Sequence, residues 1–253
     1  MNDLVKKTGN AGKTGTIQSM YSLKKSLFIC LLLLVAGKGN VSAQAPKFAF
    51  GVRGGLNLST AIVNDAAAIK IKPGYHIGGT VDYCFTQKFG LQSGLFLSEK
   101  GSKIDGFNSG DYVGGSPDYT FIFDALYLKL PVYATFRKNI SDNFKVNIGL
   151  GAYFAYGIGG KTKQTLHNSA FADGNTAIEW NTFGNGVYDE SRDWLRGETL
   201  RPFDFGAEIK VDFSYNQFIV GIGLESGIMD IMHEERDLHY RNENISISVG
   251  YQF

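Results

Sequence analysis

Along most of this chain the apolar residues fall at every second position. Successive side chains of a strand point to opposite faces, so a period of two predicts strands where a period near 3.6 would predict helices. The end of the chain is the clearest case. Ile245, Ile247, Val249, Tyr251 and Phe253 share one face, and Ser246, Ser248, Gly250 and Gln252 the other. Residues 202–214 alternate as strictly, with Phe203, Phe205, Ala207, Ile209, Val211 and Phe213 against Asp204, Gly206, Glu208, Lys210 and Asp212. In residues 143–158, Val146, Ile148, Leu150 and Phe154 oppose Lys145, Asn147, Gly149, Gly151 and Tyr153. The segments 48–59, 75–85, 89–100, 125–137 and 217–227 read in the same way. The sum is about eight strands, an even number within the range of membrane barrels.

The polar face decides between two architectures. A soluble sandwich turns its apolar face inward, whereas a membrane barrel turns it to lipid and lines its interior with the polar face. Here the polar sets are rich in glycine, which lets a narrow interior close. Aromatic residues stand near the ends of the apolar sets (Phe144 and Tyr156, Phe203 and Phe213, Tyr75 and Phe85), where girdles at the two lipid–water interfaces belong. Short connections near 86–88, 138–142 and 215–216 alternate with long ones at 61–73, 102–119, 159–201 and 229–242. The expected fold is all-β, a closed antiparallel eight-stranded up-and-down transmembrane β-barrel. Residues 159–201 contain Ala172-Asp173-Gly174-Asn175, a hairpin-turn signal, but its flanks lack an apolar stripe long enough to face lipid. That segment is read as a hairpin or loop rising above the membrane, with a barrel of about ten strands as the rival count. Pro131 lies within a strand and removes a ladder hydrogen bond, which predicts a bulge or a local break in pairing.

Not all of the chain belongs to the barrel. Lys24 and Lys25 precede an apolar run over 27–36, and Val41-Ser42-Ala43 stands before Gln44. A basic region, a short apolar core and a small-x-small site predict a cleaved secretory signal peptide. The run is about half of the ~20 residues a spanning helix needs, which argues against a membrane anchor. Residues 1–43 are therefore expected to be an upstream segment plus signal peptide, with Met1 and Met20 both candidate starts, and residues 44–253 the barrel. Cys30 follows Phe28-Ile29 rather than a small residue, so lipidation is not expected. The exported part keeps only Cys84, which makes no internal disulfide. A net charge of +1 supplies no field for nucleic acid. A hydrophobic share of 43% is ordinary for a soluble chain and excludes a helical membrane bundle.

Three segments carry a resemblance. They are Gly51-Val52-Arg53-Gly54-Gly55-Leu56-Asn57, the run Gly90-Leu91-Gln92-Ser93-Gly94-Leu95-Phe96-Leu97-Ser98-Glu99-Lys100-Gly101, and Tyr127-Leu128-Lys129-Leu130-Pro131-Val132. They resemble the outer-membrane β-barrel family common in Bacteroidetes, which includes PorT-like proteins. That family has an acid in the middle of the last motif, where this chain has Lys129. The resemblance implies the fold, a place in the bacterial outer membrane in contact with its lipid, and a role in export or envelope assembly. The terminal Tyr251-Gln252-Phe253 resembles the C-terminal signal read by the barrel-insertion machinery, which makes Phe253 its expected contact.

An interior of about eight strands is only wide enough for side chains to fill. The inward-facing charges are Arg53, Lys129, Arg137, Lys145 and Lys210 against Asp82, Asp204, Glu208, Asp212 and Glu225. A buried charge needs a partner, and the two signs balance. A salt-bridged, side-chain-filled interior is the expectation, with a narrow channel for small polar solutes as the alternative. In residues 159–201, Trp180, Phe183, Tyr188 and Trp194 either bind an envelope protein or glycan, or pack over the barrel mouth. Two patterns imitate chemistry. His233 and His239 flank acids, but six residues apart in a loop rather than four apart on a zinc-binding helix. Gly9-Asn10-Ala11-Gly12-Lys13-Thr14 imitates a phosphate loop, but Lys7 stands where the first glycine is required. No catalytic set, cofactor site or metal site is expected, and the chain is read as a structural or interaction barrel rather than an enzyme.

Overall fold

The computed structural model describes residues 47–63, 68–105, 118–167, 176–184, 187–188, 196–197, 200–232 and 239–253. The expected signal peptide and cleavage site lie outside the described residues, as does the turn 172–175. The strands are β1 (Lys47–Val63), β2 (Ala68–Cys84), β3 (Phe89–Asp105), β4 (Asp118–Asn139), β5 (Phe144–Gly159), β6 (Lys161–His167), β7 (Thr176–Asn181), β8 (Val187–Tyr188), β9 (Arg196–Gly197), β10 (Phe203–Tyr215), β11 (Phe218–Gly227) and β12 (Tyr240–Gln252). The barrel is eight-stranded and antiparallel: β1, β2, β3, β4, β5, β10, β11 and β12 pair in that order, and β12 closes against β1. A closed sheet leaves no unpaired strand edge, which lipid requires because it offers backbone groups no hydrogen bonds.

Tight connections gather at one end of the barrel, the turn end. Asn216, at φ 53°, makes the turn between β10 and β11, where Tyr215 pairs with Phe218. Asparagine tolerates that left-handed conformation better than other residues with a side chain. Through the middle of the barrel the alternation predicted from sequence is present. On β11, Phe218, Val220, Ile222 and Leu224 are exposed outward, while Gly221, Gly223 and Glu225 are buried inside. Ile148 and Leu150 of β5, Ile209 of β10, and Ile247 and Val249 of β12 continue the apolar outer belt. At the turn end the belt finishes in ring pairs, Phe48–Tyr83, Phe89–Phe136, Phe144–Phe213, Phe218–Tyr251 and Tyr251–Phe253, as an interfacial girdle does.

Towards the other end, the loop end, the structure departs from the sequence reading. β1 to β4 run well past the ends assigned from sequence, and the expected long connection over 61–73 is mostly strand, with only residues 64–67 between β1 and β2. In these extensions the polarity of the barrel inverts. Phe121 and Phe123 of β4, Ile104 of β3, Ala61 of β1 and Tyr240 of β12 point inward and form a core with Trp180, Leu200, Ile231 and Met232. Lys161, Lys163 and Glu179 face out. On β3 and β4 strand parity stays constant while the apolar stripe changes sides, as expected where the outer face passes from lipid to water. β2 instead shifts register against β3 between Ile71 and His76, and Ile62 and Ile71 stay exposed.

The segment after β5 completes this outer storey. Gly160, at φ 138°, kinks the chain from β5 into β6, and a Cβ there would collide with the Asp124 carbonyl. β6 then pairs with the start of β4, and β7 pairs with β6, so β6 and β7 form a hairpin above the barrel and add no strand to its wall. Leu200 bridges Phe183 on one side and Met232 on the other, carrying backbone pairing from β7 round towards β12. Pro131 makes the local break expected of it. β3 and β4 skip pairing between Ser93–Val132 and Phe96–Lys129 without changing register, and the Ser93 hydroxyl donates to the Pro131 carbonyl at 2.8 Å. The register shift on this strand lies instead at Leu126–Tyr127, where the extra residue is Ile158 of β5.

The outer belt predicts an asymmetric response to charge. Ile222→Arg, near the middle of the belt, is expected to cost about 2–4 kcal/mol in reversible urea unfolding from lipid vesicles. Ala177→Lys, on the water-facing side of the outer storey, is expected to leave that transition nearly unchanged.

Candidate functional site

The interior of the membrane-spanning storey is the most heavily built part of the molecule. Inward glycines bring the wall close enough for long side chains to meet across it. A Cβ on Gly250 would stand 2.8 Å from Arg53 Cγ, and one on Gly221 would collide with the Asp212 carboxylate. The charges that the strands direct inward then assemble in layers.

Nearest the turn end, Arg53 holds Asp212 with both terminal nitrogens, at 2.6 and 2.8 Å. Lys210 donates to the same carboxylate at 2.8 Å and to the Gln92 side-chain oxygen. Gln92 donates to Asp82 at 2.8 Å, and Gln252 to the other Asp82 oxygen at 3.2 Å. Above this layer, Lys129 sits between Glu225 at 2.6 Å and Glu208 at 2.9 Å. Lys100 pairs with Glu225 and lies 3.8 Å from Asp204. Asp204 also accepts from the Tyr153 hydroxyl at 3.1 Å and from Asn242 at 2.9 Å. The Lys100 amine stands 4.3 Å from the Tyr153 ring centre, and Lys210 stands 4.8 Å from that of Tyr133. Removing ions from water costs several kcal/mol each, so pairing of this density mainly offsets desolvation rather than adding net stability.

Of the charges expected inside, Arg53, Asp82, Lys129, Asp204, Glu208, Lys210, Asp212 and Glu225 are buried in these layers. Lys145 is not among them. It lies near the start of β5, at the mouth of the turn end, and its side chain is exposed to solvent. Arg137 is partly exposed and stands 3.7 Å from Asp82. Lys100 is a central member missed from sequence. The alternating segment 89–100 ends on it, although it shares the parity of Gln92 and Ser98. A second polar group centres on Asn57, whose amide donates to Ser98 at 3.0 Å and whose oxygen meets His76 Nδ1 at 2.9 Å.

Two small cavities remain, one of about 50 Å³ between the layers and one of about 40 Å³ on the turn-end side of the Arg53 layer. Arg53, Gln92 and Asp212 line both and so form the partition between them. Above the Lys100 layer the apolar core of the outer storey spans the bore. Trp180 belongs to that core, and Phe183 packs against it and edge-on to Tyr127. Trp180 and Phe183 are thus placed over the mouth of the bore. The Tyr188 side chain and Trp194 lie outside the described residues. The core is latched by Asp230, which accepts the backbone N–H groups of Tyr240 at 2.9 Å and Met232 at 3.1 Å and pairs with His239 Nδ1. Burial pushes the Asp230 carboxyl up, but these hydrogen bonds outweigh it and hold the group below the ordinary aspartate range. Among the described residues, no group of three or more His, Cys, Asp or Glu is placed to hold a metal ion.

The sequence over residues 42–233 matches the family model described as outer membrane protein beta-barrel domain. No curated protein sequence matches the chain. Among solved structures, it is similar to the attachment invasion locus protein Ail of Yersinia pestis, solved in complex with the heparin analogue sucrose octasulfate. That match has 13% identity and a TM-score of 0.39, and covers 82% of this chain and 99% of that one. It is similar to the outer membrane protein OprG of Pseudomonas aeruginosa at 13% identity, with coverage of 81% and 95% and a TM-score of 0.40. For the Neisserial surface protein A the values are 10%, 83%, 100% and 0.37. Identities this low bear on no residue of the interior.

Two outcomes follow from the layers and the latch. Arg53→Met leaves Asp212 with Lys210 as its one remaining cation among the described residues, and unfolding from vesicles is expected to lose about 3 kcal/mol. Arg53→Lys, which keeps the charge without the two-pronged contact, is expected to fall between Met and wild type. A carboxyl held below its ordinary range stabilises the fold above the unfolded value, about 4, and that contribution is lost as pH falls through the lower folded value. Hydrogen-exchange protection of the Tyr240 amide is therefore expected to hold from neutral pH down to about 4 and to fall below it, with Asp230→Asn abolishing the dependence.

Proposed function

This chain belongs to the family of outer membrane protein β-barrel domains, whose model spans residues 42–233, and on that premise we propose that it is a barrel that does not conduct and serves a structural or interaction role in the envelope. It resides in the bacterial outer membrane, with lipid against its apolar belt. The observation that carries the reading is the partition of Arg53, Gln92 and Asp212 between two cavities of about 40 and 50 Å³. About 10–15 Å³ accommodates one water, so these spaces suit a few waters each and no solute path.

In a barrel of this kind the membrane storey anchors and the exposed ends carry the contacts with other molecules. Export or envelope assembly, the role implied by the PorT-like resemblance, needs no open bore and is the finer form of the proposal. Contact with the insertion machinery is assigned to Phe253, whose ring is exposed at the turn end beside Tyr251. The reading assigns the chain no reaction and no cofactor.

Planar-bilayer recording of the purified, folded barrel tests the proposal. No stable current steps above the bare bilayer are expected. Long-lived single-channel steps of uniform size in the wild-type protein would establish the narrow channel for small polar solutes in its place.

A further inference from the structure

The lower of the two cavities opens towards the turn end, periplasmic in barrels of the outer membrane. Arg53, Arg137 and Lys145 line it against Asp82 and Asp212, and Asp212 is shared with Lys210 above. Arg137 lacks a close carboxylate. One terminal nitrogen donates to the Cys84 thiol at 3.0 Å, and the other stands 3.7 Å from Asp82, an oxygen that already accepts from Gln92. The rim adds exposed Lys88 and Lys138 against Asp142. Positive charge is therefore in excess in a recess whose walls exclude much of the water that would screen it.

Two buried groups in the lining are left without partners. Arg53 Nε is an N–H donor with no acceptor, and Asn147 Oδ1 has no donor, although each residue is only 7% exposed. Turned over about its last side-chain bond, the Asn147 amide presents an N–H to the cavity in place of this oxygen. An orphaned guanidinium N–H, an orphaned amide, a second guanidinium without a close carboxylate and an ammonium at the entrance all match one kind of guest. At about 40 Å³ the space exceeds what one water needs and suits a single small oxyanion. We propose that this vestibule is a blind binding site for an oxyanion, a phosphate or carboxylate group offered from the periplasmic side. Arg137 and Lys145 draw the anion in, and Arg53 and Asn147 hold it at the floor. Both terminal nitrogens of Arg53 are taken by Asp212, so Arg53 offers the anion its Nε–H alone.

The blind floor rests on the reading of the bore as closed, but the site itself is tested separately. Folded barrel in micelles is titrated with inorganic phosphate and, in parallel, with acetate at constant ionic strength, following the Asn147 side-chain amide by NMR. A saturable shift is expected, with affinity reduced at least tenfold in Arg137→Gln and in Lys145→Gln and unchanged in Lys163→Gln at the far end. Saturation by phosphate alone assigns a phosphate-bearing ligand, by acetate alone a carboxylate, and by both the shared oxyanion chemistry. Lys145 is exposed, so Lys145→Gln keeps the test valid if Arg137→Gln folds poorly. No saturable shift with either anion, or equal affinity in Lys145→Gln and wild type, overturns the proposal. A barrel that conducts yet binds phosphate at Asn147 removes the closed-bore reading and leaves the site standing.

Discussion

The structure turns on one constraint, that charges enclosed by a narrow sheet in lipid must find partners within that sheet. Eight strands leave no bulk water inside to solvate them. Arg53 and Lys210 therefore converge on Asp212, Lys129 and Lys100 on Glu225, and tyrosines and amides take up the remaining oxygens. Glycine on the facing wall is the condition for these contacts, because a side chain at Gly221 would occupy the place of the Asp212 carboxylate. The interior is consequently a packed polar core, with the hydrophobic contact transferred to the outside.

The same constraint explains the change of character at the loop end. Once the wall leaves lipid, nothing requires an apolar exterior, and ordinary burial takes over. Phe121 and Phe123 continue the parity of Tyr127 and Lys129 along β4, but they are apolar and inward where Leu128 and Leu130 are apolar and outward. This shift limited what could be read from sequence. The membrane storey was legible because its alternation holds one phase over whole strands such as β10 and β11. In sequence the extensions read as connections because the apolar stripe changes phase near Ala125–Leu126, which looks like the end of a strand. No local signal separates a strand that stops from a strand whose surroundings change.

The interior was legible in part. Parity alone places Arg53, Asp82, Lys129, Asp204, Glu208, Lys210, Asp212 and Glu225 inside, and sign balance suggests that they pair. Which carboxylate meets which cation depends on stagger between strands that are far apart in sequence, and no alternation pattern contains it. Lys145 shows the other limit. Its parity is correct, but parity does not say how deep a residue lies, and two residues from a turn it reaches solvent. Trp180 shows a third, since an aromatic in a long connection reads the same whether it binds a guest or closes a core.

A barrel so filled acts through its ends. Its loop end is a small water-facing domain with its own core, and its turn end is a shallow basic recess above a paired floor. The central claim is that the two are not connected by water. Thiol accessibility of Ser248→Cys, in a Cys84→Ser background, tests it most directly, because Ser248 lines the upper cavity between the Arg53 partition and the Lys129 layer. With the folded barrel in vesicles, the account predicts no modification by a small charged thiol reagent supplied from either side. Ready modification from both sides would contradict it.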